Sequence, residues 1–412
     1  MVSFVTSLKC VECGKEYSPS TPVHECQECG GWPEVQYDYD GIASKVSMRD
    51  IERRKPGILD RWIEFLPIED RSKVESATLG QTATPLVDCP RLAKWVGVKQ
   101  LYVKNDSAFP TGSFKDRSMP MAVVKALELG VKTITIVSSG NAAASLAAHG
   151  ARAGLETIVF VNAEAPPAKL AQASIYGARV MLMKADYSEI MKPFLEARKK
   201  FGWYDCNAEC NPSRFEGNKT CAYEIFEQLG CRIPDMIVSP MGSCSGVAGQ
   251  WKAFGELSRL GFIDRLPRLA GIQAEASCSV VKAFKQKRST VEPIVPGHTI
   301  ASALVMGDPP FGKRALQAIY QSKGAAEAVS ESEILEAVKV LAREGFFFEP
   351  AGATPLAGAR KLASQGKIDK EETLVCVGTG HGLKMPEIAV HTMTKPLVIE
   401  ATLEAIEAAL RT

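Results

Sequence analysis

A lysine set between a glycine turn and the start of a helix-periodic segment is the residue best placed to do chemistry in this 412-residue chain. Lys115 lies in Pro110-Thr111-Gly112-Ser113-Phe114-Lys115-Asp116-Arg117, where the turn fixes where its amine emerges, as a Schiff-base lysine requires. Three further segments follow at spacings that suit loops after parallel strands: Ser138-Ser139-Gly140-Asn141, Gly242-Ser243-Cys244-Ser245-Gly246 and Gly378-Thr379-Gly380-His381-Gly382. Turns of this kind expose backbone N–H groups, and the helix N-terminus behind them favours anions.

Each segment has a chemical reading and a plainer one. Gly242, Ser243, Cys244, Ser245 and Gly246 offer amides and hydroxyls to a phosphate, although a Gly/Ser turn is often a simple connection. Cys244 reads as a small packed residue rather than a nucleophile. Ser138, Ser139 and Gly140 can grip an α-carboxylate while the Asn141 amide approaches a ring oxygen, with an asparagine helix cap as the competing reading. Thr379 can set a neutral hydroxyl beside a pyridine nitrogen, which tempers the electron sink. His381 is either an acid–base group or a loop-shaping residue. Together the four segments describe a site for pyridoxal phosphate, with Lys115 both binding it and moving protons.

A second constellation stands at the N-terminus. Cys10, Cys13, Cys26 and Cys29 form C-x2-C-x12-C-x2-C, with Gly14 and Gly30 after each pair. Two tight turns presenting thiolates can converge on one tetrahedral zinc ion, so the spacing predicts a zinc ribbon. His24 is an alternative ligand that four thiolates make unnecessary.

The elements that must position these residues follow from pattern. From Thr82 onward, short β-rich runs alternate with amphipathic helices: strands at 100–104, 133–137, 157–161, 178–183, 236–239, 269–273 and 373–377, helices at 118–129, 141–153, 331–342 and 401–410. That βαβ alternation predicts an α/β fold with doubly wound, largely parallel sheets. The expected division is a ribbon over residues 1–40, a connecting arm over 41–80, a large cofactor domain from 81–117 and 206–412, and a small mobile α/β domain over 118–205. Lys plus Arg number 49 against 47 Asp plus Glu, a net charge of +2, which excludes a general attraction to nucleic acid or an anionic membrane. No stretch reaches the roughly 18 uninterrupted apolar residues of a membrane span, so the expectation is a cytoplasmic protein.

Several of these segments, with Asn211-Pro-Ser-Arg214-Phe-Glu-Gly217-Asn-Lys-Thr220, Phe262-Ile-Asp-Arg-Leu-Pro-Arg268, Phe348-Glu-Pro-Ala351 and Thr379-Gly-His-Gly-Leu-Lys384, resemble the threonine synthases. The resemblance covers nearly the whole chain, including the cysteine-bearing extension. It implies the tryptophan synthase β-like fold, Lys115 as the Schiff-base lysine, Asn141 at the ring oxygen, Gly242 to Gly246 at the phosphate and Thr379 at the pyridine nitrogen. It also implies a carbon–oxygen lyase that makes L-threonine and phosphate from O-phospho-L-homoserine and water, working on a small-molecule amino-acid substrate as a homodimer.

The chain departs from that family where substrate is bound. Ala142 replaces a threonine, removing a hydroxyl expected near the substrate's phosphate. Aligning Arg214 with the family's phosphate-binding arginine puts Ala208 and Glu209 where an Asn-Ser pair is usual, so a carboxylate faces a dianion. The cofactor turn is Gly-Ser-Cys-Ser-Gly rather than Gly-Asn-Gly-Gly-Asn, and Phe109 stands where asparagine usually precedes the proline, while Arg214 and Lys219 remain. These departures favour an alternative: a paralogue acting on another substrate, either cysteate synthase-like (O-phosphoserine and sulfite) or an ammonia-lyase for serine, threonine or diaminopropionate. A non-enzymatic amino-acid-sensing regulator is a third class.

Overall fold

The computed structural model describes residues 3–165, 167–185, 187–392 and 396–411, so Met1 and Val2 of the expected ribbon lie outside them. The cysteine-rich segment forms β1 (Val5–Cys10), β2 (Glu16–Tyr17) and β3 (Pro33–Tyr37), an antiparallel sheet in the order β2-β1-β3. Helical turns follow, and β4 (Leu86–Asp88) and β5 (Gln100–Asn105) then open a second sheet. The chain leaves it to build a third from β6 (Thr133–Val137), β7 (Glu156–Asn162), β8 (Arg179–Met183) and β9 (Tyr204–Asp205). It then returns with β10 (Met236–Pro240), β11 (Arg268–Ala274), β12 (Ala325–Val329) and β13 (Thr373–Gly378).

The second sheet has the order β12-β11-β10-β13-β5-β4 and is parallel except for β4 at one edge. The third has the order β8-β7-β6-β9 and is parallel throughout. Strands with helices on both faces must be apolar on both, and the side-chain period of two sorts them. Ile237 and Val375 join one core while Met236, Val238, Leu374 and Cys376 join another. In the third sheet, Ile134 and Val159 face one core and Val137 and Phe160 the other.

Among the elements that escaped the sequence pattern, two show why. In β12 the run Ala-Ala-Glu-Ala-Val is poor in β-branched residues, yet all five are buried, because helices pack over this edge. The helix Pro350–Ser364 carries Pro355 inside it; Pro350 sits at its first turn, where a missing N–H costs nothing. The expected helix at 118–129 runs Lys115–Glu128, and the one expected at 401–410 begins at Leu403.

The sheet order brings the chemistry together. β5 leads to the Lys115 turn, β6 to Ser138–Asn141, β10 to Gly242–Gly246 and β13 to Gly378–Gly382, each at the carboxyl end of a parallel strand. Ligands bind at that end in open α/β sheets.

Candidate active site

Lys115 is the first residue of its helix and is locked from both sides. Asp116, buried, accepts from the Thr111 N–H at 2.8 Å, the Thr111 hydroxyl at 2.6 Å and Ser145 Oγ at 2.5 Å. Arg117, also buried, donates to both Asp106 oxygens at 2.6 and 2.7 Å and to both Glu224 oxygens at 2.8 and 2.9 Å. The turn before it needs Gly112, at φ +75°, where a side chain would be strained and would press on Lys384 and His381. The backbone is then sewn to its neighbour. The Phe114 N–H donates to the Thr379 carbonyl at 2.8 Å, and the His381 N–H donates to the Gly112 carbonyl at 2.9 Å. The Glu349 N–H donates to the Gly380 carbonyl at 2.9 Å, so three loops form one small ladder.

Around this ladder lies a cavity of about 760 Å³. Lys115, Asn141 and Thr379 line it, as do Gly242, Ser243, Cys244 and Gly246. Ser138, Ser139, Gly140, Ala142, Glu209 and Arg214 complete the expected set. Ser245 is the one expected residue outside the wall; its hydroxyl lies 3.1 Å from that of Ser243. A Cβ at Gly140 or Gly246 would meet no atom within 4 Å, so both turns face open space. Gly242 is different, since a Cβ there would come within 2.9 Å of the Ala303 carbonyl oxygen.

The electrostatics single out the lysine. Among the described residues the Lys115 amine makes no ion pair, and it lies 4.2 Å from the centroid of its neighbour Phe114. Burial first, and Arg214 second, lower its pKa to about 7, against a smaller opposing pull from Glu349. A free amine therefore coexists with the ammonium near neutrality. Arg214, buried, donates from Nη1 to the Cys206 carbonyl at 2.6 Å, and its own N–H is capped by Asn211 Oδ1 at 2.8 Å.

The donor set fits pyridoxal phosphate: an amine with no carboxylate partner, an open glycine–serine turn at the N-terminus of the helix Ser245–Arg259, and a buried threonine hydroxyl. The chain matches the family model described as pyridoxal-phosphate dependent enzyme over residues 77–380. It is 42% identical to a threonine synthase of Methanocaldococcus jannaschii over 405 residues, 98% of this chain and 99% of that protein. A threonine synthase of Methanosarcina acetivorans is 40% identical, with 98% of each covered. The chain belongs to the threonine synthase family of pyridoxal phosphate-dependent enzymes. Among solved structures it is similar to a Solanum lycopersicum threonine deaminase, with TM-score 0.64 and 20% identity over 77% of this chain and 89% of that one. A maize serine racemase gives TM-score 0.64 and 19% identity over 75% and 91%. These two likenesses concern the fold alone.

Family membership makes the chain an enzyme and sets aside the non-enzymatic regulator. Several readings of individual residues change in the structure. Asn141 is not a helix cap: Gly140 holds that position, and the Asn141 amide instead donates to Glu349 Oε1 at 2.8 Å. Glu349, buried and on the cavity wall, was given no role in the sequence, although it lies in the family-like segment Phe348–Ala351 just before the helix-starting Pro350. Lys219 does not face the cavity, being fully buried against Glu216 at 2.6 Å and Glu256 at 2.9 Å. Lys384 does face it, and its amine donates to Gln172 Oε1 at 2.6 Å. His381 shapes its loop, with Nδ1 accepting from the Leu383 N–H at 3.1 Å.

The cysteines converge. The sulfurs of Cys10, Cys13, Cys26 and Cys29 all lie within 4.8 Å of one another, with Cys10–Cys29 and Cys13–Cys26 at 3.5 Å. Tetrahedral Zn–S bonds of about 2.3 Å call for sulfur separations of about 3.8 Å, so the set fits a structural zinc. His24 is not part of it and turns to the Cys210 carbonyl instead, at 2.8 Å.

Proposed function

We propose that the chain converts O-phospho-L-homoserine and water to L-threonine and phosphate, the reaction its curated relatives are named for. The observation that carries this reading is the placement of Lys115 and Arg214 on one cavity wall, an amine poised near neutrality beside a buried guanidinium. When bound, pyridoxal phosphate supplies an electron sink that makes the α-proton of an amino acid removable. Lys115 Nζ takes the proton from Cα and returns protons later in the cycle. The hydroxyls of Ser138 and Ser139, with the N-terminus of the helix Asn141–Ala153, hold the substrate's α-carboxylate. Arg214 holds the phosphate that leaves as the carbon–oxygen bond breaks, and its charge stabilises the departing dianion. Gly242 to Gly246 would hold the cofactor's phosphate, Asn141 would serve its ring oxygen and Thr379 its ring nitrogen.

Residues 118–205 form the small domain that closes on the large one, made from 81–117 and 206–412, behind a ribbon over 1–40 and an arm over 41–80. We infer a cytoplasmic homodimer, as the likeness to the threonine synthases implies. Among the described residues no helix is long and apolar enough to cross a membrane.

Glu209 and Ala142, both on the cavity wall, favour a second reading, a relative with another substrate. One set of assays separates the two. Phosphate and threonine release from O-phospho-L-homoserine is expected. No release there, with sulfite-dependent product from O-phosphoserine or ammonia from serine, threonine or diaminopropionate, would end the first reading.

A further inference from the structure

The cysteine-rich sheet packs directly on the segment that carries Glu209 and Arg214. His24 Nδ1 donates to the Cys210 carbonyl at 2.8 Å while its ring meets Tyr204, centroids 5.5 Å apart. Glu25 pairs with Arg198 at 3.3 Å, and Arg198 pairs with Asp205 at 3.0 Å. The carbonyl of Asp205 accepts from the Asn211 amide at 2.9 Å, and Asn211 caps the helix Pro212–Gly217 on the Arg214 N–H. A continuous chain of polar contacts thus runs from Glu25, in the loop between the cysteine pairs, to the Arg214 N–H, and its neighbour His24 holds Cys210, the residue next to Asn211.

A second route is apolar. Trp32 packs edge-on against Phe215 at 6.0 Å and Phe311 at 5.0 Å, and those two rings stack at 4.9 Å. Phe215 adjoins Arg214, and the Phe311 N–H donates to the Ser243 carbonyl at 3.1 Å. One indole thus braces both the arginine helix and the glycine–serine turn. Close-packed rings transmit displacement, because no void is left to absorb it. Neither His24 nor Trp32 lines the cavity.

We propose that His24 and Trp32 are positioning residues through which the cysteine-rich sheet sets the place of Arg214 and the Ser243 turn, and so the affinity for a phosphorylated substrate. The proposal rests on the reading that Arg214 holds the substrate's phosphate. His24 is two residues from Cys26 and Trp32 three from Cys29, so the four-cysteine turns determine where both side chains stand.

The test is steady-state kinetics with O-phospho-L-homoserine on the full-length, cofactor-loaded enzyme. Four variants are compared, His24→Ala, His24→Asn, Trp32→Phe and Arg214→Lys, each with its melting temperature and the visible absorption of its bound cofactor. His24→Ala should raise KM about fivefold, the scale of one lost hydrogen bond, with kcat within about twofold and absorption unchanged. His24→Asn, which can present an N–H where Nδ1 stood, should restore KM; a role in stability alone would move the melting temperature and leave KM. A wild-type KM in folded, cofactor-loaded His24→Ala overturns the proposal. Should that variant not fold, Trp32→Phe decides by the same criterion, with about a threefold rise expected. If Arg214→Lys leaves KM unchanged, the phosphate reading itself falls and the proposal falls with it; a raised KM there with a wild-type KM in His24→Ala defeats the proposal alone.

Discussion

The carboxamide of Asn141 donates to the carboxylate of Glu349 at 2.8 Å, joining the first turns of two helices that belong to different sheets. The bond spans 208 residues of chain and crosses the cavity wall beside Lys115. It places a negative charge where it opposes the effect of Arg214 on the lysine. Asn141→Ala should therefore remove one hydrogen bond to a buried carboxylate and cost about 1 kcal/mol. Glu349→Gln keeps an acceptor for the amide and should cost less. Urea titrations of the two variants check this; equal losses would argue against the hydrogen bond as the stabilising contact.

Lys115→Ala should abolish the visible absorption that comes from cofactor attached to the lysine. It should also lower kcat by about 10³-fold, the scale of a lost general acid–base group. Spectra and turnover of the purified variant test both. Retained absorption with full turnover would assign the chemistry to another amine.

The lowered pKa of Lys115 also makes a statement about stability without cofactor. Burial holds it near 7 in the fold, against an ordinary value of 10.5. Between those two values the unfolded chain binds the proton and the folded one does not, so this group's contribution to stability rises with pH. Below about pH 7 the folded chain carries the ammonium in a setting that disfavours it. Cofactor-free wild type should thus be less stable than Lys115→Met at pH 6, and the gap in melting temperature should close as pH rises toward 10. A pH-independent gap would contradict the shift.

Glu209 shares the cavity wall with Arg214, where a carboxylate opposes a dianionic substrate. Glu209→Ser should lower KM for O-phospho-L-homoserine by about fivefold with little change in kcat, which initial-rate kinetics would reveal. An increase in KM would mean that the carboxylate supports binding.

Gly217 lets the arginine helix lie against the lysine helix. A Cβ there would fall 2.3 Å from the Arg117 carbonyl oxygen and 2.8 Å from Ser118 Cα, backbone atoms that cannot swing aside. Gly217→Ala should cost about 3 kcal/mol in chemical denaturation and raise KM, since Arg214 must shift with its helix. A variant as stable as wild type would show that the two helices can separate without loss.

Much was legible in the chain itself because the relevant signals are local. Most strands of the two largely parallel sheets, the glycine turns after them and the paired cysteines depend on side-chain period, backbone freedom and short spacing, all readable from neighbours in sequence. β12 was not legible, since its alanines have little strand preference and enter one because helices cover this edge of the sheet. Which charges meet was decided by tertiary structure alone. Lys219 and Lys384 look alike as sequence, yet one is buried against Glu216 and Glu256 and the other opens onto the cavity. Glu349 becomes a site residue only when β13 and the Lys115 turn close on it, and His24 leaves the cysteine cluster for a carbonyl 186 residues away. Electrostatic energy depends on distance and burial in three dimensions, and residue spacing along the chain carries neither.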